Sequence, residues 1–302
     1  MINENIVRYL EEKNIKFCRD YDTSLASSFR VGGRAEIAVF PENEEQLSGL
    51  FSLTSKEGVR TETVGNASNI LFADGSLGGV FVFTGGLKDY SFSDTRLICQ
   101  SGVSLTAMAK KAADNGLSGL EFAYGIPGTV GGAVYMNAGA YGSSVSEVLV
   151  SSRVLDKRSG KIFSLGADEH GFDYRKSVYM DNDHWVCLGA EFSLKKDAKE
   201  NIFAKMNEYI SSRRAKQPLE YPNAGSYFKR PEGHFAGKLI EDCGLKGFSV
   251  GDACVSEKHA GFVINKGNAT AADILSLEAE VKRRVFEVYG VVLEREVRYI
   301  SN

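Results

Sequence analysis

Three short segments of the chain carry residues whose types could serve acid–base or charge-stabilising chemistry. In the first segment, NAGSYFKRP, Ser226 follows a glycine and precedes two aromatic residues and the cations Lys229 and Arg230. A hydroxyl group beside two cations could grip a phosphorylated substrate, because ammonium and guanidinium groups bind phosphate oxygens. The segment does not match Gly-x-Ser-x-Gly, so it does not predict a hydrolase nucleophile. An ordinary loop serine is the alternative that spacing alone favours.

The other two segments are FDYRKS, which contains Tyr174 and Arg175, and the charged stretch LEREVR near the C-terminus. In a strand, Glu294, Glu296 and Arg298 would share one face, because side chains alternate along a strand. Solvated surface charges are the usual outcome for such residues. Residue types alone therefore leave the roles of Arg175 and Glu296 open.

A glycine-rich stretch, YGIPGTVGGAVYMNAGAYG, occupies residues 124–142. Glycine loses more backbone freedom on folding than other residues. The stretch therefore predicts either unusual turns or a large ligand lying against its backbone. Its first half is typical of a turn that leads into a helix start, where free N–H groups and the helix dipole favour a phosphate. A pair of tight turns is the alternative, since neither common nucleotide fingerprint is present.

A second polar turn, VGNASNILF at residues 64–72, follows a predicted strand. Gly65 permits close approach, and successive backbone N–H groups in such a turn can form an anion-binding concavity. A polar turn between two strands is the alternative. Two phosphate-binding loops in one domain would suit the pyrophosphate of a dinucleotide.

Hydrophobic periodicity predicts the elements that must position these segments. Asn43 and Thr270 are predicted helix N-caps, and Gly58 and Gly290 are predicted helix ends. The alternation of single helices with several strands indicates a mixed α+β fold and not strict βαβ repetition. Predicted helices cover residues 2–13, 43–58, 105–116, 198–215 and 270–290, and predicted strands cover 34–40, 60–65, 80–86, 96–102, 148–155, 161–165, 184–194 and 292–300.

Composition restricts the possible partners of this 302-residue chain. Its formal net charge of −3 argues against broad nucleic-acid binding, which needs a basic face. No stretch approaches the roughly 20 apolar residues of a membrane helix. Five widely spaced cysteines without Cys-x-x-Cys fit reduced thiols in a cytoplasm. The four histidines show no metal-ligand spacing, so we expect no metal site. The charge and the lack of a long apolar stretch lead us to expect no nucleic-acid or membrane partner, and no feature of the sequence indicates an obligatory protein partner.

In their order along the chain, these motifs closely resemble the UDP-N-acetylenolpyruvoylglucosamine reductase family, flavoenzymes of bacterial peptidoglycan precursor synthesis. The resemblance runs from SFRVGG at residues 28–33 to the final strand. Each motif alone is weak evidence for this family, but the occurrence of all of them in this order over nearly the whole chain is specific to it. The motifs are SFRVGG, VGNASNIL, GIPGTVGGAVYMNAGAYG, YRKS, GSYFKRP, AGKLIEDCGLKG, VSEKHAGFVIN and LEREVR.

The resemblance implies non-covalent FAD, NADPH as hydride donor, and UDP-N-acetylglucosamine enolpyruvate as the small-molecule substrate. Ser226 would be the general acid, and Arg175 and Glu296 would bind the substrate carboxylate and stabilise an enol-like intermediate. Tyr174 and Lys229 would contact the substrate. The residues expected to bind FAD are Gly65, Asn66, Ala67, Ser68, Asn69, Gly125, Ile126, Pro127, Gly128, Thr129, Gly131, Gly132 and Ala133.

The family fold implies a two-lobed FAD-binding module of the vanillyl-alcohol-oxidase type, followed by a smaller α+β substrate domain. We expect the module at residues 1–196, with its lobes divided near residue 58, and the substrate domain at 197–302. The last strand is expected to pack back toward the flavin. The chain resembles the compact branch, which lacks an insertion carrying a tyrosine that covers the substrate.

Two positions depart from the family pattern, Ala67 and Asp252, where glycine is common. A methyl group at position 67 could weaken FAD binding or shift the loop. Two other functions remain open: another FAD-linked oxidoreductase of the same fold, and a non-catalytic protein that binds a nucleotide sugar.

Overall fold

The computed structural model describes residues 4–302, which contain eight α-helices and nineteen strands. The helices are α1 (Glu4–Glu12), α2 (Glu44–Lys56), α3 (Leu105–Asp114), α4 (Val130–Tyr135), α5 (Val178–Asp181), α6 (Lys199–Lys216), α7 (Ala236–Asp242) and α8 (Ala271–Tyr289). The strands are β1 (Lys16–Asp22), β2 (Arg34–Phe40), β3 (Thr61–Val64), β4 (Ile70–Phe72), β5 (Ser76–Phe83), β6 (Tyr90–Ser93), β7 (Arg96–Gln100), β8 (Leu117–Ser118), β9 (Gly139–Ala140), β10 (Ser143–Ser144), β11 (Leu149–Asp156), β12 (Ile162–Gly166), β13 (Trp185–Ser193), β14 (Lys195–Lys196), β15 (Asn223–Ser226), β16 (Ser249–Val250), β17 (Ala253–Val255), β18 (Phe262–Asn265) and β19 (Arg298–Ile300).

The chain divides into two compact units that are not contiguous in sequence. The first unit runs up to Asp20 and also contains Glu36–Asn66 and Gly78–Ser211. The second unit contains Tyr21–Ala35, Ala67–Leu77 and Ser212–Asn302. Two early segments thus belong with the C-terminal part of the chain. The division at residues 196 and 197 stays a prediction.

The first unit begins with a four-stranded sheet in the order β1-β2-β5-β3, in which β3 is parallel to β5. Helices α1 and α2 bury their apolar faces with the side chains of β2 and β5 in one core. The Asn43 side chain accepts a hydrogen bond from the Gln46 N–H, as the cap pattern predicts. The predicted first helix is confirmed as α1, and its residues 2 and 3 lie outside the described part of the chain.

The first unit also contains a five-stranded antiparallel sheet in the order β12-β11-β13-β7-β6. Apolar side chains of α3 and α4 share a core with residues of β7, β11 and β13. This arrangement places the end of β7 beside the start of α4, where the glycine-rich stretch enters the helix.

The second unit contains a four-stranded antiparallel sheet in the order β15-β18-β17-β16, which shares a core with α7 and α8. Helix α8 starts with the predicted capping box, in which the Thr270 side chain accepts from the Asp273 N–H. It ends at Gly290, which has φ = +66°. A left-handed residue of this kind terminates a helix at low steric cost when it is glycine.

Two local predictions need correction. The polar turn predicted at residues 64–72 contains the short strand β4, and the strand predicted at 80–86 already begins at Ser76 as β5. The predicted strand at 292–300 is regular only at Arg298–Ile300. Strands β4 and β19 pair with each other in parallel within the second unit, so each is a strand only because the other lies beside it. Residues so distant in sequence can pair without any pattern in the local sequence of either segment.

The described residues include no helix long and apolar enough to cross a membrane. Within residues 4–302, no cluster of three or more histidine, cysteine, aspartate or glutamate side chains is arranged to hold a metal ion.

Candidate active site

The two predicted FAD-binding loops meet in the first unit. The Asn66 side-chain amide donates a hydrogen bond of 2.7 Å to the Pro127 carbonyl. A Cβ atom on Gly65 would lie only 2.6 Å from Thr129 Oγ1. Glycine is therefore required at position 65 by a contact between the loops. Segments that are about 60 residues apart in sequence lie side by side here.

The start of α4 was predicted to present free N–H groups to a phosphate. In the structure these N–H groups already have hydrogen-bond partners within the protein. Thr129 caps the helix, and its Oγ1 accepts from the Gly132 N–H at 3.3 Å. The N–H groups of Val130, Gly131 and Ala133 donate to backbone carbonyls at 2.8–2.9 Å. The expectation of free helix-start N–H groups for a phosphate is therefore wrong.

The glycine at position 131 is likewise explained by packing. A Cβ atom there would lie 2.7 Å from the Ser101 Cβ and 3.3 Å from the Ser101 carbonyl oxygen. The Gly131 N–H donates to that same carbonyl at 2.9 Å. Helix α4 thus lies directly on the segment that follows β7, and a side chain at position 131 would separate them.

Two buried hydroxyl groups beside these loops provide a test of whether the site suits FAD. Among the residues that the structure describes, neither Ser101 Oγ nor Thr63 Oγ1 has a hydrogen-bond partner, although both atoms are buried. Ser101 contacts Gly131, and Thr63 lies in β3 just before Gly65. A buried polar atom without a partner is costly. A polar ligand at the loops would remove this cost, so the residues present fit a dinucleotide cofactor.

The remaining residues of the VGNASNIL motif lie in the second unit and contact the LEREVR motif. The Asn69 side-chain amide donates to the Glu296 carbonyl at 3.2 Å, and the Asn69 carbonyl accepts from the Arg298 N–H at 3.0 Å. Ala67 is buried and has φ = +45°. This left-handed conformation disfavours any residue with a Cβ atom. Glycine would therefore adopt the backbone conformation at position 67 with less strain than alanine.

The segments that carry Ser226 and Glu296 run next to each other in the second unit. The Glu296 N–H donates to the Tyr227 carbonyl at 2.9 Å, and the Lys229 N–H donates to the Glu294 carbonyl at 2.8 Å. The Lys229 ammonium group also lies 3.2 Å from a Glu294 carboxylate oxygen. The structure therefore places the segment that carries Ser226 and Lys229 beside the segment that carries Glu296.

Arg175 lies in the first unit, in a backbone conformation with φ = +53°. Its guanidinium group donates to the Gly139 carbonyl at 2.8 Å and to the Asn137 carbonyl at 3.5 Å. It also lies 5.1 Å from the centre of the half-exposed Tyr174 ring. The second half of the glycine-rich stretch thus orients Arg175.

Asn137 connects the same two segments through its side chain, a role that sequence reasoning missed. Its amide group donates to the Asp173 carbonyl at 3.0 Å, and its Oδ1 accepts from the Ser146 N–H at 3.0 Å. Asn137 itself has φ = +42°, a conformation that asparagine tolerates better than most residues. The presence of asparagine within a turn-rich stretch was the available signal.

A buried polar cluster precedes the Arg175 segment, and sequence reasoning did not identify it. His170 Nδ1 is 2.7 Å from the Gly166 carbonyl, and Nε2 is 2.7 Å from Ser152 Oγ. A carbonyl can only accept, so Nδ1 carries the proton and Ser152 donates to Nε2. The Tyr179 hydroxyl lies 2.6 Å from Ser152 Oγ. Burial lowers the pKa of His170 and raises the pKa of Tyr179, so both side chains are neutral near pH 7.

Comparisons with known proteins connect this geometry to a family. Residues 35–166 match the family model of an FAD binding domain, and residues 217–300 match that of the UDP-N-acetylenolpyruvoylglucosamine reductase C-terminal domain. The UDP-N-acetylenolpyruvoylglucosamine reductases of Caldicellulosiruptor saccharolyticus and Clostridium novyi are each 44% identical to the chain. The matches cover 97% and 99% of this chain and 95% and 96% of those relatives.

Solved structures agree with the sequence relatives. The crystal structure of UDP-N-acetylenolpyruvylglucosamine reductase from Thermus caldophilus matches with a TM-score of 0.79 and 32% identity, over 94% of this chain and 98% of that chain. Phl p 4.0202, a glucose dehydrogenase, matches with a TM-score of 0.50 and 12% identity, over 65% of this chain and 44% of that chain, and shows a shared fold alone. The expected α+β fold, a vanillyl-alcohol-oxidase type FAD module with a further α+β domain, is confirmed. The chain therefore belongs to the UDP-N-acetylenolpyruvoylglucosamine reductase family and is an FAD-containing oxidoreductase of peptidoglycan precursor synthesis.

Proposed function

We propose that this enzyme uses NADPH to reduce UDP-N-acetylglucosamine enolpyruvate to UDP-N-acetylmuramate. The observation that carries the proposal is the backbone pairing of the Ser226–Lys229 segment with Glu294–Glu296 in the second unit. This pairing sets the segment that carries a hydroxyl group and a cation beside the segment that carries a carboxylate. Such a set can bind an anionic substrate and supply a proton, which is what reduction of an enolpyruvyl group requires.

We infer that the residues around the two loops hold FAD without a covalent bond. Ser101 and Thr63 would offer their buried hydroxyl groups to the cofactor, in addition to the loop residues named above. Bound FAD would supply the hydride-transfer chemistry of the reaction, with NADPH as the source of the hydride. The chain's own residues bind, orient and protonate the substrate.

Ser226 is proposed as the general acid. Addition of a hydride to the double bond leaves the carbon beside the carboxylate electron-rich, and this carbon must take up a proton. Serine is a weak acid, so the carbon must be basic enough to accept the proton from Oγ. General acid catalysis contributes about 10²–10⁴ in rate.

Arg175 and Glu296 are proposed to bind the substrate carboxylate and stabilise the enol-like intermediate. Hydrogen bonds to the Asn137 and Gly139 carbonyls fix the plane of the Arg175 guanidinium group before substrate arrives. A cation that needs no reorientation stabilises developing negative charge most effectively. Tyr174 and Lys229 are proposed as substrate contacts.

We further propose that residues 1–196 form the FAD-binding module, that 197–302 form the substrate domain and that the enzyme acts in the cytoplasm on a small molecule. The five cysteines of the chain are all free thiols, as expected in a reducing compartment. The pairing of β19 with β4, next to Asn69, supports the proposal that the last strand packs back toward the flavin.

The test is an anaerobic absorbance experiment on the purified protein. Addition of NADPH should bleach the flavin band, and addition of UDP-N-acetylglucosamine enolpyruvate should restore it. A flavin that bleaches but is not restored would refute the proposed substrate and favour another FAD-linked oxidoreductase reaction. A protein that binds the sugar and ignores NADPH would refute the proposed hydride donor.

A further inference from the structure

A buried carboxylate lies behind the Ser226 and Glu296 segments. Glu278, on helix α8, is only 6% exposed. Its Oε2 accepts from the Tyr227 hydroxyl at 2.7 Å and from the Arg295 guanidinium group at 3.1 Å. Its Oε1 accepts from the Lys282 ammonium group one turn further along α8. A carboxylate buried with two cations and a hydroxyl is well satisfied.

The partners of Glu278 are the immediate neighbours of the proposed catalytic residues. Tyr227 follows Ser226, and Arg295 precedes Glu296. The two segments are also joined directly, since the Tyr227 carbonyl accepts from the Glu296 N–H. One carboxylate oxygen of Glu278 therefore ties both segments to the same point on α8.

The surroundings of Tyr227 make this attachment rigid. The side chain is fully buried, and its ring packs edge-on against Phe29 and Phe228. Burial raises the pKa of Tyr227, and the neighbouring Glu278 raises it further, so the hydroxyl group remains a proton donor to the carboxylate. The hydroxyl position is fixed by packing on one side and by Glu278 on the other.

We propose that Glu278 is a positioning residue for the sugar-reducing half of the reaction. By holding Tyr227 and Arg295 together, it sets the separation between the Ser226 hydroxyl and the Glu296 carboxylate. This inference rests on the function proposed above. A displacement of about 1 Å at reacting groups can lower a rate by about 10²-fold. A substitution at Glu278 would therefore lower the rate by displacing Ser226 or Glu296, without a contact of its own to the substrate.

The substitution that tests the proposal is Glu278→Gln. The amide has nearly the same shape, but it carries no charge, and its NH₂ group must face one of the donors that now bind the carboxylate. Glu280→Gln is the matched control, because Glu280 lies one half-turn away on α8, is less buried than Glu278 and forms ion pairs with Arg283 and Arg284. Tyr227→Phe, which removes only the hydroxyl group, is a second variant should Glu278→Gln fail to fold.

The two half-reactions are measured separately by anaerobic stopped-flow absorbance. In Glu278→Gln we expect flavin reduction by NADPH to stay within about twofold of wild type. We expect the limiting rate of flavin reoxidation by the enolpyruvyl sugar to fall at least about tenfold, at a nearly unchanged half-saturating sugar concentration. Tyr227→Phe should show the same selectivity with a smaller loss, and Glu280→Gln should change neither rate.

Two results would overturn the proposal. One is a Glu278→Gln variant that unfolds at lower urea concentration but reoxidises its flavin at the wild-type rate, which would leave Glu278 a purely structural role. The other is an equal loss in both half-reactions. Failure of the proposed function is distinct, because wild-type reduced flavin would then not be reoxidised by the sugar at all.

Discussion

The substitution Gly131→Ala should destabilise the first unit, whereas Gly132→Ala should not. A Cβ atom at position 131 would lie 2.7 Å from the Ser101 Cβ, closer than such atoms approach in proteins. Ser101 has little room to move, since its N–H donates to the Leu188 carbonyl and its carbonyl accepts from Gly131, both at 2.9 Å. At position 132 the nearest atom is Thr129 Oγ1 at 3.5 Å, an ordinary contact.

The expected difference follows from two terms. Replacement of glycine by alanine within a helix is favourable by up to about 1 kcal/mol, and this term is similar at the two adjacent positions of α4. Overpacking in a closely packed region costs about 1–3 kcal/mol, and this term applies at position 131 alone. The free energy of unfolding of Gly131→Ala should therefore be about 1–3 kcal/mol below that of Gly132→Ala.

Urea unfolding of the two apoproteins measures this difference without the contribution of bound FAD, which would stabilise the folded state by mass action. The double variant Gly131→Ala/Ser101→Gly should recover most of the loss, because it removes the contacting Cβ atom. Equal unfolding free energies for the two single variants would refute the argument, since they would mean that the segment after β7 yields freely. Failure of Ser101→Gly to rescue would contradict the assignment of the contact.

Three further predictions concern chemistry, pH and backbone strain. Ser226→Ala should slow sugar reduction by about 10²–10⁴-fold while NADPH still bleaches the flavin, and a near-normal rate of reoxidation would exclude Ser226 as the acid. Burial holds the pKa of His170 in the folded protein below its usual value of about 6.5. The stability that neutral His170 contributes is therefore complete above about pH 6.5, and it is lost as the pH falls toward the folded-state pKa. In urea unfolding between pH 7 and pH 5, His170→Gln should therefore reduce the slope of unfolding free energy against pH, by at most about 1.4 kcal/mol per unit, and an unchanged slope would contradict this. Ala67→Gly should leave the free energy of unfolding within about 1 kcal/mol of wild type. Glycine relieves the left-handed strain (about 1–2 kcal/mol), but the variant loses a buried methyl group and its unfolded chain gains entropy. A larger change in urea unfolding would show that one of these three terms is wrong.

Local sequence patterns predicted most helices correctly, including the caps at Asn43 and Thr270 and the left-handed end at Gly290. These features depend on bonds between residues at most four apart, so the sequence displays them directly. The order of the motifs likewise identified the family and its cofactor. In contrast, β4 and β19 were missed or misjudged, because each is a strand only through its pairing with the other.

The sequence by itself determined which residue types are present for flavin binding, proton donation and charge stabilisation. Tertiary structure alone decided which of them meet: Asn66 with Pro127, Asn69 with Glu296, and Arg175 with Gly139. Tertiary structure also explains Gly131 by close packing and not by ligand binding. A Cβ atom at position 131 would collide with Ser101, and the Gly131 N–H already donates to the Ser101 carbonyl. Contacts of this kind join segments tens to hundreds of residues apart. Their geometry depends on how whole sheets and helices pack, and no pattern within one segment encodes that packing.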